Sequence, residues 1–384
     1  MLTEKELEAA IKQITDRLTE VNQLYIKKIA AQLSKIGELN ATSINRIVVM
    51  VEMGANIREI SAELAQATTQ NVRDIYAIYQ KALSDSYTDP RFRAALQSQP
   101  LTPAQNDRLT WFARNVATQT AQAMVNLSNT TAIAQPYQEA LDKAIVAVSM
   151  GGVSYTEAAR DIIRQLGYNG LQVQYESGYH RRLDTAVRQN IIDGVNQINQ
   201  NASLAMGEML GYDAVELSAH LNSAPDHEPV QGRVFLLREF EKMQNGEDFR
   251  DVDGNFYPGF ARPIGEWNCM HIAMSFDTRH SIRRYTDEQL KEWKDANAKG
   301  CEINGKHYTN YQARQLMREL ETKVRREKDA ANAARLNGND MDARRACQKT
   351  INDLTRKYYA VAKAAGLTPR GARLSVEGFK MVKV

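Results

Sequence analysis

The stretch Asp213-Ala214-Val215-Glu216-Leu217-Ser218-Ala219-His220 decides the class of fold. Apolar and polar residues alternate with period two, the repeat of a half-buried strand. Val215, Leu217 and Ala219 are expected to face a core, and Glu216, Ser218 and His220 to face away from it. Gly232-Arg233-Val234-Phe235-Leu236 reads as a second strand. His271-Ile272-Ala273-Met274-Ser275-Phe276 reads as a third, with Ile272, Met274 and Phe276 on one face. A Gly-, Pro- and Asp-rich loop from Asn245 to Gly265 separates the last two. A polar helix over Tyr179–Met209 precedes the first strand, its apolar face formed by Leu183, Val187, Ile191, Val195 and Ile198. This is the one convincing β segment, so residues 176–282 are predicted to form a small α+β domain.

Outward from it the chain reads as helices, making the class mainly α. Residues 1–175 form an N-terminal helical region. Thr3 and Glu6 make a capping box, and Leu7, Ile11, Ile14, Leu18, Val21 and Tyr25 follow at alternating spacings of four and three. Such a stripe packs either within a bundle or against a partner helix. Asn56 is expected to cap a second long helix carrying Ile57, Ile60, Leu64, Val72, Ile75 and Tyr79. Shorter helices are predicted after Pro103, after Pro136 and from Ser154, the last stopping at Gly167. Residues 283–384 form a C-terminal basic helical hairpin. Its first helix runs over Asn310–Asn337, Asn337-Gly338-Asn339 turns the chain, and the second helix stops near Gly366 before Pro369. So short a turn makes the two helices antiparallel.

The 384 residues carry a formal net charge of +3, which hides a division. Residues 281–384 hold 23 Lys and Arg against 13 Asp and Glu, whereas residues 1–280 hold 26 against 33. The basic part could neutralise phosphate; equally, acids such as Glu319, Glu321 and Glu327 are interleaved, as on a solvated helical face. Three scattered cysteines, Cys269, Cys301 and Cys347, make no disulfide framework and suit a reducing cytoplasm. The polar, charged start predicts no signal peptide. The longest uncharged run, Asn115–Gln138, is too rich in Thr, Gln and Asn to span a bilayer.

Residues able to carry chemistry gather in the α+β segment. His220 and His227 flank Pro225 and Asp226, and Trp267-Asn268-Cys269-Met270-His271 follows. On a strand, Cys269 and His271 share one face. Three readings stay open. His220, His227, Cys269 and His271 have the donor types of a tetrahedral zinc set, though their spacing matches no standard finger. Two histidines near Arg233 could serve as acid and base on a phosphodiester. Alternatively these polar groups hydrogen-bond the irregular loops and hold three short strands together. Asp251-Val252-Asp253-Gly254-Asn255 begins like an EF-hand loop, but Phe256 and Arg262 stand where Gly and Glu are needed, so a turn at Asp253-Gly254 is predicted. The sequence has no P-loop, no G-x-G-x-x-G and no G-x-S-x-G.

Val215–His220, Pro225-Asp226-His227 and Gln231-Gly232-Arg233-Val234-Phe235 together resemble the phage minor capsid protein 2 family, which is related to the Mu F-like head-morphogenesis proteins. Trp267-Asn268-Cys269-Met270-His271 is similar to that family's N-C-R-H element, followed by Tyr285-Thr286. Upstream, Gly152-Val153-Ser154-Tyr155, Ala158-Ala159-Arg160, Tyr175-Glu176-Ser177-Gly178, Leu183-Asp184, Val187-Arg188-Gln189-Asn190 and Asn196-Gln197 agree in order, so the resemblance spans about residues 136–384. Ala224, Val230 and Met270 depart from it, standing where the family tends to have Arg, an aromatic residue and Arg.

The resemblance implies a minor head protein of a tailed bacteriophage, made in the host cytoplasm and carried inside the capsid near the portal. Its implied partners are the portal protein, other head proteins and, through the basic hairpin, packaged DNA. It implies roles in head assembly and in DNA packaging or ejection, with no enzyme activity and no cofactor. The alternative is a head-carried enzyme or effector, zinc-binding or nuclease-like, using the His/Cys residues.

Overall fold

In the computed structural model, which describes residues 4–38, 43–87, 100–150, 155–266 and 269–384, the stripe beginning at Leu7 lies on α1 (Glu4–Glu38). Thr3, half of the expected capping box, lies outside the described residues. Ile11, Ile14, Leu18, Val21 and Tyr25 are buried, so the chain itself covers the stripe. α2 (Ser43–Tyr87) runs back along α1. Arg17 donates to Asn71 Oδ1 at 2.7 Å, Lys28 pairs with Glu59 at 2.6 Å and Lys35 with Glu52 at 2.9 Å. Partner numbers that rise on one helix and fall on the other define an antiparallel pair. Asn56 is not a cap, because α2 starts well before it; its Nδ2 donates to Tyr137 Oη at 3.0 Å. Packing of the long helix outweighs the weak helix preference of Gly54 and Asn56, about 1 kcal/mol or less each.

α3 (Pro103–Asn129) begins on a capping box one step earlier than its Pro: Gln105 N–H donates to Thr102 Oγ1, and Thr102 N–H to Gln105 Oε1. β1 (Thr131–Ala132), α4 (Ala134–Met150), α5 (Tyr155–Asn169), β2 (Gln172–Gln174) and β3 (His180–Arg182) follow. Ser154 lies outside the described residues. α5 does not stop at Gly167; it ends two residues later, before Gly170 with φ +64°. Gly167 serves close packing instead, since a Cβ there would lie 2.6 Å from Ala333 Cβ. β1, β2 and β3 make an antiparallel sheet, pairing Thr131 with Val173 and Val173 with Arg181. Strand structure is therefore not confined to 176–282. The helix expected from Tyr179 begins only at Leu183, as α6 (Leu183–Met209), because His180–Arg182 joins this sheet. Arg182 then lies buried, its guanidinium held by Asp184 at 3.0 Å and by Asp329 at 2.5 Å.

The three expected strands form as β4 (Ala214–Leu217), β5 (Val234–Leu236) and β8 (Ala273–Phe276), each shorter than its sequence pattern. Between the last two come α7 (Leu237–Gln244) and a hairpin of β6 (Phe249–Arg250) and β7 (Phe256–Tyr257). The sheet order is β5-β4-β8, all antiparallel, pairing Val215 with Phe235 and with Ser275. A core of Val215, Leu217, Val230, Phe235, Phe240, Met243, Phe249, Ile264 and Ala273 fills one side. Glu216 lies on the face opposite Val215 and Leu217, as the alternation predicts, but is covered there: all four β4 residues are buried, and its Oε1 accepts Arg284 N–H at 2.7 Å. Burial pushes the Glu216 carboxyl up. His271 precedes β8 rather than lying in it.

α8 (Asp287–Lys299) is capped by Thr286, whose side chain accepts Gln289 N–H. A hairpin of β9 (Cys301–Ile303) and β10 (Lys306–Tyr308) turns at Asn304-Gly305, both at positive φ. α9 (Asn310–Leu336) and α10 (Met341–Ala364) are the expected pair, joined through Gly338 and Asn339, again at positive φ. Tyr358 Oη donates to Glu321 Oε1 across them at 3.1 Å. By compactness the chain divides into two units. One comprises Met1–Ala10, Val72–Ala123 and Arg188–Gln315; the other comprises Ile11–Asn71, Met124–Val187 and Leu316–Val384. Among the described residues no helix is long and apolar enough to cross a membrane.

Candidate functional site

Past Leu217 the chain leaves β4 and is pinned to the approach to β8: Ser218 N–H donates to the Ile272 carbonyl, and Ile272 N–H to Ser218 Oγ, both at 2.9 Å. It then coils through tight turns, with His227 N–H on the Ala224 carbonyl and Gln231 N–H on the His227 carbonyl. Gly232 returns it to β5 at φ +66°, its N–H donating to the Leu217 carbonyl. A Cβ on Gly232 would lie 2.6 Å from Leu290 of α8, so both conformation and space require glycine. Gln231 bridges the two loops; its Oε1 accepts His220 N–H at 3.0 Å and faces His271 Nε2 at 3.4 Å.

His227, Cys269 and His271 meet in this space, almost wholly shielded from solvent. His227 Nε2 lies 2.9 Å from the Arg262 carbonyl, an acceptor, so that nitrogen carries the proton. Its Nδ1 lone pair then faces Cys269 Sγ at 3.3 Å. His271 Nε2 faces Gln231 Oε1 and, at 3.3 Å, Ser223 Oγ, which leaves its Nδ1 facing the same sulfur at 3.5 Å. The His271 amide donates to Sγ at 3.4 Å. His220 is not part of this knot of donors; its ring stacks on His271 at 4.4 Å between centroids. Asp226 clasps Arg262, with Oδ2 at 3.0 Å from Nε and Oδ1 at 2.6 Å from Nη2. Burial drives the His227 imidazole below its ordinary value and His271 well below it, and it pushes the Cys269 thiol up.

Arg233 does not join the histidines. Its guanidinium pairs with Asp287, at 2.8 Å, in the first turn of α8. Of the histidines that could do acid–base work on a phosphodiester, His227 and His271 are 0% and 2% exposed, whereas His220 is half-buried. Trp267 and Asn268 lie outside the described residues. The EF-hand-like loop is a turn: Asp251 Oδ1 accepts the amides of Asp253 and Asn255, and Gly254 takes φ +87°.

The partners supplied by α6 are not evident from the strand motifs. Asn196 donates to the Cys269 carbonyl at 3.0 Å, Gln200 accepts Ala273 N–H at 3.1 Å, and Ser203 bonds Ser275. Their spacing of four and three places them on one helical face, a polar counterpart of the apolar stripe. Arg262 and Ser223, in loops, leave no such periodic signal.

A second surface lies on the basic hairpin. On α10, Arg345, Lys349, Arg356 and Lys363 are exposed. Steps of four, seven and seven keep them on one face, over roughly 27 Å of helix. Tyr359, 46% exposed, stands close to that face. Other cations of the hairpin are turned inward: Arg325 donates to the Arg373 carbonyl at 3.0 Å, Lys328 to that of Leu374 at 2.7 Å and Arg344 to that of Lys380 at 3.0 Å.

Compared with known proteins, residues 2–358 match the family model described as phage minor capsid protein 2. No curated protein and no solved structure matches the chain.

Proposed function

The chain belongs to the phage minor capsid protein 2 family, and from that premise we propose that it sits at the portal vertex inside the head, supporting head assembly and the packaging or ejection of DNA. Family membership makes it a component of the virion, with other phage head proteins as its partners. The observation that carries the finer reading is the row of Arg345, Lys349, Arg356 and Lys363 on the outer face of α10. Arg356 is tied to Asp353 at 3.1 Å and Arg345 to Asp342 at 3.5 Å. Exposed pairs of that kind are worth about 1 kcal/mol or less, so phosphate can displace them. A single straight row of cations reads backbone charge and no base sequence, as suits a protein that meets any DNA its phage packages. The sealed His/Cys core supports a structural role for the α+β part, holding loops where the apolar core is thin.

Mass spectrometry of purified procapsids and mature heads tests this reading. The chain is expected in both, at low copy number, and chemical cross-linking should join it to the portal protein. Absence from both particles would overturn it.

A further inference from the structure

We propose that His227, Cys269 and His271 bind a zinc-class divalent cation through His227 Nδ1, Cys269 Sγ and His271 Nδ1. This inference is independent of the portal and DNA reading above. The three donor atoms lie within 4.8 Å of one another, and all three residues are buried.

Proton count is the first reason. The Arg262 carbonyl and Gln231 Oε1 each require a proton on the Nε2 that faces them. Both Nδ1 atoms therefore present lone pairs, and both present them to one sulfur. A thiol has one proton, so it satisfies one of the two nitrogens, and the other donor within reach is the second proton of Arg262 Nη2, a long 3.4 Å from His227 Nδ1. A cation held by the thiolate and both nitrogens satisfies all three donors. Carbonyl or carboxamide partners on the far nitrogen are how ligating histidines are commonly oriented.

Distances agree. With metal–sulfur near 2.3 Å and metal–nitrogen near 2.0–2.1 Å, a tetrahedral ion sets its sulfur–nitrogen edges at about 3.5 Å. The two edges here are 3.3 and 3.5 Å. The donor set of two imidazoles and one thiolate selects zinc-class ions over magnesium or calcium, which take oxygen. The His271 amide on Sγ, at 3.4 Å, stabilises the thiolate form. Three protein ligands leave the fourth position of a tetrahedral ion to water. Arg262 Nη2 also approaches His227 Nδ1, at 3.4 Å, but it is bound more tightly by Asp226, whose carboxylate neutralises it. Binding exchanges the thiol proton for the metal–sulfur bond, so each ion taken up releases one proton to solvent.

The test uses the full chain, purified without chelators. Elemental analysis is expected to give about one zinc per chain. Stripped protein titrated with Co²⁺ should develop the sulfur-to-metal charge-transfer band and visible bands of a tetrahedral site. Cys269→Ser should lose the charge-transfer band, whereas Cys301→Ser combined with Cys347→Ser should keep it. The cobalt titration of unaltered protein stands even where Cys269→Ser fails to fold. Folded wild-type protein that carries no zinc and gives no cobalt bands would overturn the proposal, and so would a band that survives Cys269→Ser.

Discussion

Ser275 on β8 donates two hydrogen bonds to Ser203 on α6, from its N–H to Oγ at 3.0 Å and from its Oγ to the carbonyl at 2.6 Å. Helix and strand touch closely enough that a Cβ on Gly207 would lie 2.2 Å from Ser275 Oγ. Gly207→Ala must therefore break this pair of bonds or push α6 away. It is expected to cost about 1–3 kcal/mol, read from urea unfolding midpoints. Gly54→Ala in α2, where the nearest atom is 3.7 Å from the added Cβ, is the control and should stabilise by up to about 1 kcal/mol. Equal effects of the two substitutions would contradict the close approach of helix and strand.

Asp329→Ala leaves the Arg182 guanidinium buried with Asp184 as its remaining carboxylate. Removing one member of a buried pair costs about 3–5 kcal/mol, whereas replacing both with apolar residues of similar size costs far less. Arg182→Met combined with Asp329→Leu should therefore be more stable than Asp329→Ala alone. Thermal unfolding of the three proteins decides the order.

Lys349→Glu combined with Arg356→Glu reverses charge on the exposed face of α10. Binding of duplex DNA by the full chain is expected to weaken. The slope of log affinity against log salt should become shallower by about 0.9 for each phosphate no longer neutralised. An unchanged slope would move DNA binding off this face.

The His280 imidazole and the Arg279 guanidinium, which both bond the Asp277 carboxylate, hold it down at about 2. A carboxyl depressed on folding adds stability above its unfolded value near 3.9 and loses it as pH falls toward 2. Wild-type stability should thus fall between about pH 4 and 2 more steeply than that of Asp277→Asn. Parallel curves for the two proteins would contradict the depressed value.

Much of the architecture is legible in periodicity. The α1 stripe, the three strands of the central sheet and the α9–α10 hairpin each carry a repeat long enough to identify, or a Gly-Asn turn. The departures have separate causes. His180–Arg182 is too short to show a strand period, and its place is set by pairing with Gln172–Gln174 rather than by any local pattern. Glu216 keeps the face its alternation assigns but is buried there, because a later segment bonds it through Arg284. The β9–β10 hairpin does have a signal, Asn304-Gly305, the favoured two-residue turn, but its strands are only three residues long. In the His/Cys core the donor types are visible in the sequence. Which of them converge is not, because the tautomers are set by the Arg262 carbonyl and Gln231, both fixed by tertiary structure.

Neither compact unit is a continuous piece of chain, and this bears on synthesis. The unit containing most of α1 and α2 also needs Leu316–Val384. Ribosomes add about 5–20 residues per second, so the first helical pair waits tens of seconds for the segment that completes its unit. Through that interval α1 side chains such as Gln23, which donates to the Glu377 carbonyl at 2.8 Å, lack partners that the later segment brings. Folding of that unit is thus tied to synthesis of Leu316–Val384, and a chain released before that segment would be a target for chaperones and proteases rather than a shortened working protein.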